Sequence, residues 1–112
     1  MLFIECNVVR GGQNKISVVR LGRWPVGRRA DAQELAIAFY YGDVLARQYS
    51  TLDIAGSPGN ISRSISHYRV ISEVYGYFQQ KDNSWTFELL TTDGRRLAFD
   101  PSTGTLLWAR KQ

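Results

Sequence analysis

Apolar and polar positions alternate along this chain in short runs rather than in long helical stretches. Residues 2–9 crowd β-branched and aromatic side chains together, the run breaks at Gly11-Gly12, and a second such run covers 15–21. Two β-rich runs joined by a glycine-containing loop, here 10–14, read as a hairpin. Trp24-Pro25 follows. Proline biases the residue before it towards extended geometry, which makes Trp24 a connector or a strand edge.

Two patterns compete over 31–41. A helix has Asp31 as N-cap, Glu34 three residues on, the face Ala32, Leu35, Ala36 and Phe39, and Gly42 as terminator. A strand has the alternation Leu35, Ile37, Phe39, Tyr41 and a Gly42-Asp43 turn into a further run at 44–54. The pattern alone leaves both open. Two glycines, a proline and an asparagine within 56–60 mark a loop. The next run reads as a strand with Val70, Val74 and Phe78 on one face and Ile71, Tyr75 and Tyr77 on the other, ending in a turn at 79–83.

The last third reads as a three-stranded meander. Strands at 85–91, 95–99 and 105–110 are separated by turns at 92–94 and 100–104, where Pro101 presets φ and Gly94 and Gly104 accept left-handed geometry. Within it, the stretch Leu97-Ala98-Phe99-Asp100-Pro101-Ser102-Thr103-Gly104-Thr105-Leu106-Leu107-Trp108 resembles the tryptophan-docking motif of quinoprotein β-propellers. The resemblance covers 12 of 112 residues. A propeller needs several blades of about 40 residues each, more than this chain holds. The local match therefore implies a proline-containing turn that feeds a strand whose tryptophan packs on a sheet.

Six or seven short strands with at most one helix, around 31–41, predict a mainly β fold: a small antiparallel barrel or strongly bent sheet, with an SH3-like or Sm-like architecture. A length of 112 residues suits one domain spanning 1–112, and 44% hydrophobic against 21% charged residues suits a folded one. No apolar run approaches the roughly 20 residues of a membrane-spanning helix, and the apolar residues after Met1 stop at Glu5, short of a signal sequence. The expectation is a cytoplasmic protein without a membrane partner. Cys6 is the single cysteine, which precludes an internal disulfide and suggests a small buried hydrophobe.

Chemistry is sparse. One histidine and one cysteine cannot build a zinc site, the ten carboxylates are scattered, and neither a phosphate loop nor a dinucleotide fingerprint is present around Gly11-Gly12-Gln13-Asn14-Lys15. No metal or cofactor is expected. His67, beside Ser64 and Ser66, lacks the elbow that exposes a nucleophilic serine, so the chain is expected not to be an enzyme.

Charge adds the one positive lead. The net charge is +4 overall, but residues 1–29 alone carry +5, six basic residues against Glu5. Arg20, Arg23, Trp24, Arg28 and Arg29 cluster within ten positions. Guanidinium groups neutralise phosphates while an indole stacks on an unpaired base, so these five residues are the predicted nucleic-acid-binding site of a non-enzymatic binding module, with RNA, single-stranded DNA or another polyanion as partner. The alternative function is structural: strand edges and the tyrosines at 40, 41, 49, 68, 75 and 77 would support a homo-oligomer or a protein partner.

Overall fold

The computed structural model describes residues 2–10, 13–22, 35–55, 62–63, 68–69 and 71–111. It is mainly β. The first four strands, β1 (Leu2–Arg10), β2 (Gln13–Leu21), β3 (Leu35–Tyr41) and β4 (Val44–Ser50), form an antiparallel sheet in chain order. A helical turn, α1 (Thr51–Ala55), and a two-stranded ladder of β5 (Ser62–Arg63) and β6 (Tyr68–Arg69) follow. The second four-stranded sheet is built from β7 (Ile71–Gln79), β8 (Trp85–Thr91), β9 (Arg95–Phe99) and β10 (Leu106–Lys111), again antiparallel neighbours in chain order. Among the described residues no ladder joins the two sheets into a closed barrel.

The open question at 31–41 resolves as strand for Leu35–Tyr41, while 31–34 lie outside the described residues. Ala36, Ile37, Ala38 and Phe39 are all buried, because β3 lies between β2 and β4 and its short alanines alternate with the large core residues Ile37 and Phe39. The run at 44–54 is not one strand. At its end Ser50 and Asp53 cap each other: the Ser50 amide donates to Asp53 Oδ2 at 2.9 Å and the Asp53 amide to Ser50 Oγ at 3.0 Å. That reciprocal cap turns the chain into α1. The first hairpin is tighter than the predicted 10–14 loop, because pairing continues to Arg10 opposite Gln13.

The sheets pack face to face. Phe39 of β3 lies 5.9 Å from Phe87 of β8 and 5.0 Å from Phe99 of β9 between ring centroids, and Val19, Leu21, Ile37, Leu89 and Leu97 complete the cluster. Tyr77 spans the gap: its hydroxyl donates towards the Ile4 carbonyl at 3.3 Å and the Ser17 carbonyl at 3.2 Å. On the other side Tyr49 donates to the Gly104 carbonyl at 2.6 Å.

β7 departs from simple alternation. Register shifts between Ile71 and Glu73 and between Val74 and Gly76 each insert one residue, so Ile71, Val74 and Tyr77 point inward at a spacing of three. The predicted faces, with Val74 and Phe78 together and Ile71, Tyr75 and Tyr77 together, are corrected accordingly: Tyr75 and Phe78 point outward. Gly76 accommodates the second bulge with φ 97° and open space where a Cβ would stand. Cys6 is half-buried rather than buried.

The two sheets also repeat a local sequence. Ala38-Phe39 precedes Gly42, Val44-Leu45 and Ala46-Arg47 in the first, and Ala98-Phe99 precedes Gly104, Leu106-Leu107 and Ala109-Arg110 in the second. Both alanines and both phenylalanines are buried, and both glycines have positive φ, 53° and 73°.

Truncating Phe39 to alanine is expected to cost about 4 kcal/mol in urea unfolding, the range for a buried phenylalanine. Burial pushes the Tyr77 hydroxyl from 10.0 up to about 12. The folded state therefore holds this proton more tightly than the unfolded chain. Its contribution is complete below pH 10 and is lost as pH rises towards 12, so Tyr77→Phe should flatten part of the alkaline fall in stability measured between those values.

Candidate nucleic-acid interface

Because Phe87, Leu89, Leu97 and Phe99 point into the core, the residues between them face outward from the second sheet. The cross-strand registers set Trp108 beside Ala98, Ala98 beside Glu88, and Arg110 directly opposite Arg96. The outer face thus gathers Tyr75 and Phe78 from β7, Thr86 and Glu88 from β8, Arg96 from β9, and Trp108 and Arg110 from β10.

Hydrogen bonds order the centre of this face. Gln80 Nε2 donates to Thr86 Oγ1 at 3.1 Å, and Thr86 Oγ1 donates to Glu88 Oε2 at 2.8 Å. Arg96 closes the chain, with Nε 2.8 Å and Nη2 2.7 Å from Glu88 Oε1. The Glu88 side chain is only 8% exposed and that of Arg96 29%, so this pair lies in a partly desolvated setting where charge-assisted bonds are strong. The same guanidinium lies 4.3 Å from the Tyr75 ring centroid and 5.7 Å from that of Phe78, and Arg110 lies 4.2 Å from the Trp108 ring.

Like charges directly opposite on neighbouring strands destabilise a sheet. Here Arg96 is balanced by Glu88, and each guanidinium rests on a ring, where cation–π attraction offsets part of the repulsion. Arg110 has no carboxylate partner among the described residues. Arg95 belongs to the structure instead, donating through Nε to Asp93 and through Nη2 to the Ile54 carbonyl at 2.6 Å. Glu73 sits at the β7 end of the row that runs through Leu90 and Arg96 to Arg110, which makes the β10 side the more basic.

Of the five residues predicted to bind nucleic acid, Arg20 alone is described. It lies on β2, outward from the first sheet, because Val19 and Leu21 on either side are buried. It therefore sits on the far side of the core from Arg96 and Arg110. Arg23, Trp24, Arg28 and Arg29 lie outside the described residues, as do Ser64, Ser66 and His67. Among the described residues no three His, Cys, Asp or Glu side chains converge as metal ligands, and no helix is long and apolar enough to cross a membrane. The sequence reading missed Tyr75, Phe78, Arg96, Trp108 and Arg110. The available signal was Trp108 two residues before Arg110 on one strand, the spacing that puts both on the same face.

Comparison with protein-family models, with curated proteins and with solved structures finds no match to this chain.

Replacing Glu88 by alanine leaves Arg96 without its partner and is expected to lower stability by about 2 kcal/mol, between the values for exposed and buried pairs. A double-mutant cycle with Arg96→Ala, read by chemical denaturation, should recover a favourable coupling of about 1 kcal/mol or more.

Proposed function

We propose that this protein is a non-enzymatic binding module that holds RNA or single-stranded DNA against the outer face of its second sheet. The observation that carries this reading is the pair Arg96 and Arg110, directly opposite on β9 and β10 and each stacked on an exposed-face aromatic. Tyr75 and Phe78 are 36% and 39% exposed, enough to receive an unstacked base. Arginine planes serve the same purpose while their charge meets phosphate, and stacking accepts any base because every base has a π-face. Duplex DNA buries its base faces and would offer this surface only its backbone. The N-terminal cluster Arg20, Arg23, Trp24, Arg28 and Arg29 would add a second basic element to the same ligand or bind it alone. An SH3-like or Sm-like barrel is the finer architecture that strand number suggests for such a module, and it requires a ladder between the sheets beyond the pairings described.

Fluorescence anisotropy with labelled single-stranded RNA, single-stranded DNA and duplex DNA at two salt concentrations tests this. Single strands should bind more tightly than duplex and weaken as salt rises. Trp108→Ala should weaken binding about tenfold, the loss of one stacked base. Arg110→Glu should weaken it further and reduce the salt slope by about 1. If Arg23→Glu/Arg28→Glu abolishes binding while the Trp108 and Arg110 variants bind normally, the site moves to the N-terminal cluster. Failure of all three ligands at low salt would sink the proposal in favour of self-association or a protein partner.

A further inference from the structure

The outer face of the first sheet carries a different chemistry. Between β1 and β3 it holds an open depression of about 450 Å³ whose walls are Phe3, Ile16, Val18 and Tyr40 and whose charged lining is Glu5 and Asp43. Phe3 is 55% exposed and Ile16 50%, large apolar surfaces left in water on a sheet whose inner face packs against the core. Although the chain is net basic, both charges here are acidic, and neither carboxylate has an ion-pair partner among the described residues. Of the nearby cations, Lys15 is turned onto the Tyr41 ring, 5.6 Å from its centroid, and Arg20, opposite Phe3, is already held in an interaction of its own.

Backbone geometry places the second carboxylate. Gly42 and Asp43 have φ of 53° and 60°, the pair of left-handed residues that a tight two-residue hairpin requires. A glycine at the second position would meet that requirement with less strain, yet the chain places a carboxylate there, at the edge of the apolar depression.

From these features we infer that the depression docks an extended segment of a protein partner, one that sets an aliphatic or aromatic side chain beside a lysine or arginine. The apolar residue covers Phe3, Ile16 and Val18, and the basic group lies between Glu5 and Asp43. Three strands are roughly 10 Å across, the width of two or three peptide side chains, and the depression is open to solvent and lined from all three, as an extended segment laid on the sheet requires. This inference is independent of the reading that places nucleic acid at Arg96, Trp108 and Arg110, which lie on the opposite face; Arg20 shares the outer face of the first sheet with the depression.

An array of N-acetylated hexapeptides probed with the full chain should enrich apolar–basic sequences. The best of these, titrated in solution, should shift the amide signals of Glu5, Val18 and Asp43. Changing its basic residue to glutamate should weaken binding at least tenfold. Asp43→Asn should weaken it severalfold at unchanged melting temperature. Asp43→Gly should leave the melting temperature equal or higher and still lose the affinity, which a purely structural Asp43 would not do. Oligonucleotide binding by these variants should stay unchanged. The inference is overturned by absence of peptide binding at millimolar concentration, by affinity insensitive to both Asp43 variants, or by amide shifts confined to the Arg96 and Trp108 face. Self-association of the protein alone that Ile16→Asp abolishes would overturn it too, assigning the depression to a second copy.

Discussion

Everything outward in this protein depends on what Phe39, Phe87 and Phe99 do inward. Their rings meet at 5.0 to 5.9 Å between the sheets, where aromatic pairs add attraction beyond the area they bury. Side chains alternate with a period of two, so a slip of one residue would bring Tyr40, Glu88 and Ala98 to the core and expel the phenylalanines. The aromatic cluster therefore sets the register of both sheets at once. It decides that Arg96 faces solvent beside Glu88 and that Val18 and Tyr40 line the opposite face.

β7 shows the same constraint met by distortion. Its two bulges let Ile71, Val74 and Tyr77 all turn inward within seven residues, which uninterrupted alternation would forbid. Tyr77 then reaches β1 and β2 with its hydroxyl, and Tyr75, the residue added at the second bulge, is displaced outward beneath Arg96. A bulge commonly re-aims a side chain beside a functional surface. Here it supplies both a link between the sheets and one ring of the guanidinium stack.

How far the sequence reveals this varies by segment for physical reasons. The last meander was legible because its turns are chemically explicit: Asp93-Gly94 and Asp100-Pro101-Ser102-Thr103-Gly104 each dictate local geometry. Leu35–Tyr41 was ambiguous because alanines rather than polar residues stand between its large apolar side chains, so the same run also offers an apolar helical face. The turn of helix at α1 was hidden in an apparent strand, since its signal is the spacing of Ser50 and Asp53 rather than any apolar pattern. The repeat between the sheets is obscured by the longer turn at 100–104 and by Trp108, which interrupts the second copy. The surface formed by Tyr75, Arg96 and Trp108 could not be read as a cluster at all, because registers over three strands bring it together. Charge counting pointed instead to the N-terminal arginines, which are close in sequence.

The two outer faces are chemically opposed, arginine on aromatic rings against carboxylates on an apolar depression, and the core separates them. Packed sheets stand about 10 Å apart, close to the distance over which salt at physiological strength screens exposed charges. Direct electrostatic coupling between ligands on the two faces is therefore weak, and packing is the stronger route. Such a route is visible in β7. Tyr75 lies under Arg96 on one face, and two residues on Tyr77 bonds the carbonyls of Ile4 and Ser17, whose neighbours Phe3, Glu5, Ile16 and Val18 line the other. A ligand that shifted the backbone at Tyr75 would move the bulge that runs into Gly76, and with it the anchor of the strands that shape the depression.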